Sequence, residues 1–264
     1  MKVMPALGAT LSLLTFNVAL ASFDAEAVEL ASHRAIYDLS LAKAQPSSGL
    51  VGVDGRLVLE WRESCDGSVS NQRLGFRAQL EDGPSFVYDV SFSSWESADA
   101  TELRFNMTSY DNGELVEKYQ GEASLDDLGD RGVASYNEPS GSHQELPAGT
   151  VFPTQHLKAL IESARAGEHF TSHDVFDGSG LDALASVTAI IGEPVGEVGG
   201  ISMTHWPVSL AYFAIEGDSD LPQFEISFML ATDGVLRDVV LNYGDFVLNG
   251  DVIEIENLPS PSCS

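Results

Sequence analysis

The chain has 264 residues, 44% of them hydrophobic, and sets 13 Lys plus Arg against 40 Asp plus Glu for a net charge of -27. A phosphate backbone is bound by exchanging its counterions for Lys and Arg, so this excess of carboxylate excludes nucleic acid as a partner. Anionic lipid headgroups are disfavoured on the same ground, whereas the apolar fraction is ample for a packed core.

At the N-terminus, Lys2 precedes an apolar stretch from Val3 to Val18 and then the small residues Ala19, Leu20 and Ala21. This is the pattern of an export signal cleaved after Ala21, with Ala25-Glu26-Ala27 as a second frame. Gly8, Ser12, Thr15 and Asn17 interrupt the stretch, and no later segment approaches the roughly 18 to 20 apolar residues a spanning helix needs. The expectation is a signal peptide over 1–21 and one exported domain over 22–264 that does not span the membrane. No Cys follows the cleavage site, so a lipid anchor is not expected.

Beyond the signal, apolar residues recur with period two, the mark of half-buried strands. They run through Ala35, Tyr37, Leu39, Leu41, then Leu57, Leu59, Trp61, then Phe86, Tyr88, Val90, Phe92, and then Leu103, Phe105, Met107. Asn112-Gly113 supplies the positive-φ pair of a tight hairpin. From Gly121 to Gln144, rich in Asp, Gly, Ser and Glu, the chain reads as a loop region with one or two short strands rather than as a linker. Pro153 to Ala166 is the one helix. Leu157, Leu160, Ile161 and Ala164 repeat at i, i+3, i+4, i+7, Pro153 or Thr154 opens it, and Gly167 stops it. Strand rhythm returns at Phe224, Ile226, Phe228, Leu230 and at Val235, Val239, Leu241, Tyr243, where Arg237 breaks the set. Asp233-Gly234 and Asn249-Gly250 read as further hairpin turns. The fold class is all-β, mainly antiparallel, with the amphipathic helix over the mouth or a face of a curved sheet.

Cys65 and Cys263 are an even pair, which in an exported chain signals a disulfide; two free thiols or an intermolecular bridge are the alternatives. A bridge would pin the tail Leu258–Ser264, and the absence of C-x-x-C argues against structural zinc. His169 and His173 show no H-E-x-x-H order and fall just after the helix stop. Gly178-Ser179-Gly180 and Gly141-Ser142-His143 lack the G-x-S-x-G elbow, and Asp218-Ser219-Asp220 runs into Pro222 where an EF-hand needs its next ligand. No catalytic residue, metal or cofactor is therefore expected. Trp95, Trp206, Tyr212 and Phe213 lie in strand-like sequence, where they either fill a core or line a cavity for an apolar ligand.

A set of segments in fixed order carries a further reading: His33–Leu41, Gly55–Gly67 with Glu60, Trp61, Cys65 and Asp66, Ser94-Trp95-Glu96-Ser97, Phe152–Leu157 and Val175–Gly178. Trp206-Pro207-Val208 with Tyr212-Phe213, Asn242–Phe246 and Cys263 complete it. Through these the chain resembles the EipB family, periplasmic proteins of Gram-negative bacteria concerned with cell envelope integrity. The resemblance implies a β-spiral, a long antiparallel sheet wound into a bent, open-barrel-like cylinder, and a disulfide between Cys65 and Cys263. It implies a non-enzymatic periplasmic role with a hydrophobic or lipid-like ligand on the concave surface, for which Trp95, Trp206, Tyr212 and Phe213 are the candidate lining. A tetratricopeptide-repeat envelope protein is the implied partner, and a lipid or lipoprotein carrier is the alternative function.

Overall fold

The structure is a computed structural model and describes residues 27–215 and 220–263; the expected signal peptide lies outside the described residues. Alternation of the kind read above builds β1 (His33–Ala44), β2 (Leu50–Ser64), β3 (Gly67–Leu80), β4 (Phe86–Ser97) and β5 (Glu102–Asp111) as consecutive antiparallel neighbours. The run continues through β6 (Glu114–Leu125), β7 (Gly132–Glu138) and the short β8 (His143–Leu146). After β9 (Thr150–Val151) comes α1 (Pro153–Arg165), and β10 (Phe170–Phe176) returns parallel to β9. A second antiparallel run follows: β11 (Leu184–Ile191), β12 (His205–Ala214), β13 (Phe224–Ala231), β14 (Leu236–Asn242) and β15 (Phe246–Asn257).

The two runs meet where β15 pairs with β1, so one fifteen-stranded sheet has the order β8-β7-β6-β5-β4-β3-β2-β1-β15-β14-β13-β12-β11-β10-β9. Its two edges, β8 and β9, are joined by only Pro147-Ala148-Gly149. Four Cα steps reach at most about 15 Å, so the sheet has to curl until its edges nearly meet. The result is a nearly closed, barrel-like roll.

Two apolar clusters fill the roll. The larger draws Tyr37, Leu39, Phe76, Trp206, Val208, Leu230, Leu241 and Leu248 from the strands and Leu160, Ile161 and Ala164 from α1. The smaller holds Leu103, Phe105, Ala123, Leu125, Ala134, Tyr136, Phe152 and Phe176. Phe152 and Phe176 are fully buried, and each such side chain stabilises the fold by about 1.5–3 kcal/mol. Gly178 is required beside them: its φ of +76° is left-handed, and a Cβ there would lie 2.3 Å from the Phe105 ring.

The structure corrects one expectation and fills in two others. The segment 121–144 holds the end of β6, all of β7 and the start of β8, because Gly121, Ala123, Ala134 and Tyr136 keep the inward alternation with mostly small residues. Asn249-Gly250 is not a turn. It lies inside β15, paired on both sides, where a Cβ on Gly250 would stand only 3.3 Å from Val239 O and 3.4 Å from the Leu39 side chain; the hairpin is made at Gly244, with φ +82°. The break at Arg237 is a bulge, with Asp238 at φ +50° and a register shift against β13 between Ser227 and Met229.

The helix starts with Pro153 at its first turn and has no cap of its own. Its N-terminus is held by Glu96 of β4, 4% exposed, whose Oε2 and Oε1 accept the backbone N–H groups of Thr154 at 2.7 Å and Gln155 at 2.9 Å. Trp61 Nε1 donates to Thr154 Oγ1, and Ser68 Oγ bonds the same hydroxyl. These contacts place α1 at the end of the roll where β2 and β4 finish. The disulfide joins Cys65, in the β2–β3 turn, to Cys263 with Cα atoms 5.4 Å apart, and Leu258 N–H donates to Ser32 O on the way. The tail therefore straps across the start of β1 at the same end.

Candidate functional site

The opposite end of the roll is where β1, β3, β12 and β14 finish and β2, β4, β13 and β15 begin. Inward aromatics from these strands meet there in one continuous run. Tyr212 packs on Phe224 (ring centroids 5.7 Å), Phe224 on Tyr243 (5.0 Å), and Tyr243 stacks on Phe246 (5.0 Å). Phe246 reaches Phe76 (6.5 Å), which also contacts Tyr88 (5.5 Å) and Phe86 (6.3 Å). These spacings suit tilted and edge-on ring pairs. Only Phe76 is fully inside, and Tyr243 remains 38% exposed. Burial, with Tyr88 nearby, pushes the Tyr243 phenol up to about 12, and burial beside Asp177 raises Tyr212. These hydroxyls stay protonated near neutral pH and are available as hydrogen-bond donors.

Next to this run, the seam between the sheet's edges opens into a cleft of 1030 Å³. One wall is the free edge around β8, with Leu146, Pro147 and Ala148. The other is Leu181, Leu184, Ala214 and Ile215. Gln223, which also lines it, donates its backbone N–H to the backbone O of Tyr212, so the cleft borders the strand that carries the first ring of the run. Arg131, His143, Glu145 and Asp182 ring the mouth. Leu181 and Ile215 are 43% and 42% exposed, apolar surface left uncovered on a heavily charged protein. Next to Leu181 in the chain, Gly180 O accepts the Tyr136 hydroxyl at 2.7 Å. In the same loop Asp177, raised by burial, accepts the Ser179 N–H. Apolar walls, a few polar groups and this size suit a long apolar ligand with a polar tip.

Of the four aromatics expected at a groove, Tyr212 stands in the run. Trp206 is inward on the same strand but buried in the larger core cluster. Phe213, next to Tyr212 on a strand, faces the other side of the sheet. Trp95 is also outward, opposite in parity to Ser94 and Glu96, with Arg104 Cζ 4.6 Å from its ring centroid. The structure does not bring these four together. Phe76, Phe86, Tyr88, Phe224, Tyr243 and Phe246 were readable only as strand residues.

His173 lies on β10 against His156 of α1, and His169 bonds Ile191 O. Among the described residues no group of three or more His, Cys, Asp or Glu is placed to hold a metal, and no described helix is long and apolar enough to cross a membrane.

The EipB-like family model matches residues 24–259. The chain is 35% identical over 243 residues to the cell envelope integrity protein EipB of Brucella abortus (strain 2308), covering 88% of this chain and 86% of that one. It is also similar to the crystal structure of a β-barrel-like protein of a domain of unknown function from Brucella abortus. The TM-score is 0.83 at 33% identity, over 88% of this chain and 100% of the other. Roll, helix and sequence agree, and the chain belongs to the EipB-like family.

Proposed function

We propose that this protein is a non-enzymatic component of cell envelope integrity, exported to the periplasm by residues 1–21, whose single domain over 22–264 holds the apolar part of a lipid-like ligand in the seam cleft. The observation that carries this reading is the cleft itself, with Leu146, Pro147, Leu181, Leu184, Ala214 and Ile215 in its lining, beside the strand end that carries the aromatic run. An acyl chain entering past Leu181 and Ile215 lies against Leu146, Pro147, Leu184 and Ala214, while its polar tip meets the amide and ionisable groups that also line the cleft. The role of the EipB relative in envelope integrity supports the setting, and a disulfide suits an oxidising compartment.

The test is binding of a dansylated undecanoic acid to the mature protein, followed by fluorescence. The wild type should bind saturably. Leu181→Asp and Ile215→Asp, both at exposed positions that the fold tolerates, should weaken binding by about tenfold or more, because a carboxylate in an apolar wall has to be desolvated. Failure of the wild type to bind, or equal binding by both variants, refutes the proposal.

A further inference from the structure

The outer face of β1–β5 carries a second, different cavity, a cleft of 460 Å³. Strand register builds its floor. Arg34, Glu60, Asn71, Ser93 and Asn106 stand directly opposite one another on successive strands, all at outward positions. At about 4.8 Å per strand the row spans about 19 Å. The next row along the strands adds Val58, Arg73 and Ser91. On the other side of Ser93, one outward position away, stands Trp95 under the Arg104 guanidinium.

The charge of this face departs from that of the molecule. Six of the chain's nine arginines (34, 56, 62, 73, 77 and 104) occupy outward positions of β2, β3, β5 and the first strand. Most are committed: Arg56 to Asp38, Arg62 to Glu60, Arg73 to Asp89 and Arg104 to Glu102. Arg34, half-buried in the cleft, makes no ion pair among the described residues. The cleft thus presents the Arg34 guanidinium without an ion pair, amides that both donate and accept, hydroxyls, and a carboxylate shared with Arg62, at a regular spacing and beside an indole ring. Such a set satisfies a ligand with many hydroxyls, each of which donates and accepts. The field of a chain at -27 disfavours a polyanion.

We infer that this outer cleft is a binding site for a stretch of linear, uncharged glycan, separate from the apolar seam. Sugar hydroxyls lie along the Arg34–Asn106 row and one ring lies towards Trp95. The site needs no motion of the sheet, since the ladder fixes the spacing of the Cα atoms that carry these groups.

The experiment is a titration of the mature, isotopically labelled protein with chitotetraose and with cellotetraose, followed by amide shifts. The expected result is saturable change at Asn71, Ser93 and Asn106 with at least one of the two probes. The Asn71→Ala/Asn106→Ala double variant, altered only on the exposed face, should bind about tenfold more weakly, as loss of two hydrogen bonds implies. Arg34→Ala should also weaken it, with the dispersion of all other resonances retained. No shift with either sugar, shifts confined to the Leu181–Ile215 wall, or undiminished binding by the double variant overturns the assignment.

Discussion

His156 makes the stability of the plugged end depend on pH. It lies on the buried face of α1, its Nε2 has no hydrogen-bond partner, and its ring stands edge-on to His173 at 5.6 Å. Burial first, and then the charge of His173, hold its pKa down at about 4 against 6.5 for the free side chain. The folded state therefore keeps His156 neutral while the unfolded chain takes up a proton below pH 6.5. Its contribution is intact above that value and is lost as pH falls towards 4. Linkage gives about 2 kcal/mol lost between pH 7.5 and pH 5, or roughly 4–8 °C in Tm for a chain of this size. His33, also lowered by burial, acts in the same direction, so the comparison has to be differential. Thermal unfolding of the wild type and of His156→Phe, followed by circular dichroism at both pH values, provides it. The variant's acid-induced drop in Tm should be smaller by about 4–8 °C, while His33, Glu96 and the surface carboxylates cancel. Equal drops in both proteins would refute the reasoning, whatever the variant's absolute stability.

Glu96→Ala leaves the buried N–H groups of Thr154 and Gln155 without their acceptor and should cost about 2–5 kcal/mol in urea unfolding; Glu96→Gln, which keeps one acceptor oxygen, should lose less. A loss below about 0.5 kcal/mol for the alanine variant would mean that α1 is held elsewhere. Cys65→Ser frees the strap, and limited proteolysis should then cut near Leu258 while leaving the roll intact. The stability lost should not exceed roughly 5 kcal/mol, the entropic ceiling for a loop of 198 positions. Unchanged cleavage would show that the Leu258–Ser32 hydrogen bond and packing hold the tail without the bridge.

Large side chains at period two and the i, i+3, i+4, i+7 set of α1 made most of the fold legible, because each element advertises its buried face locally. The signal failed where the buried face is small: in β6 and β7 the inward residues include Gly121, Ala123 and Ala134, chosen by the space around Phe105 rather than by hydrophobicity. It misled at Asn249-Gly250, whose turn chemistry is local but whose glycine answers to Leu39 and Val239 on both flanking strands. The site was legible only at Tyr212. Its other rings, from Phe76 to Phe246, are neighbours because the sheet closes on itself. The cleft lies where the β8 edge faces the start of β11 and the end of β12, and no spacing within a single strand announces either fact. Glu96 was hidden for the same reason, since the helix it caps begins far along the chain.

The central position of the β1–β15 pair has a consequence for how the protein is made. A chain made N-terminus first presents His33–Ala44 long before its partner Phe246–Asn257 exists. Until the last residues emerge, one flank of β1 is a bare ladder of N–H and C=O groups, open to pairing with any extended segment nearby. Contacts of such sequence separation form slowly. The emerging first half, β1 to β8, is thus a curved meander with one unprotected side, at risk of joining a second copy of itself. The sheet is completed by the arrival of β15, and the Cys263 that follows it closes on Cys65 at the end of β2, the neighbour of the strand that has waited longest.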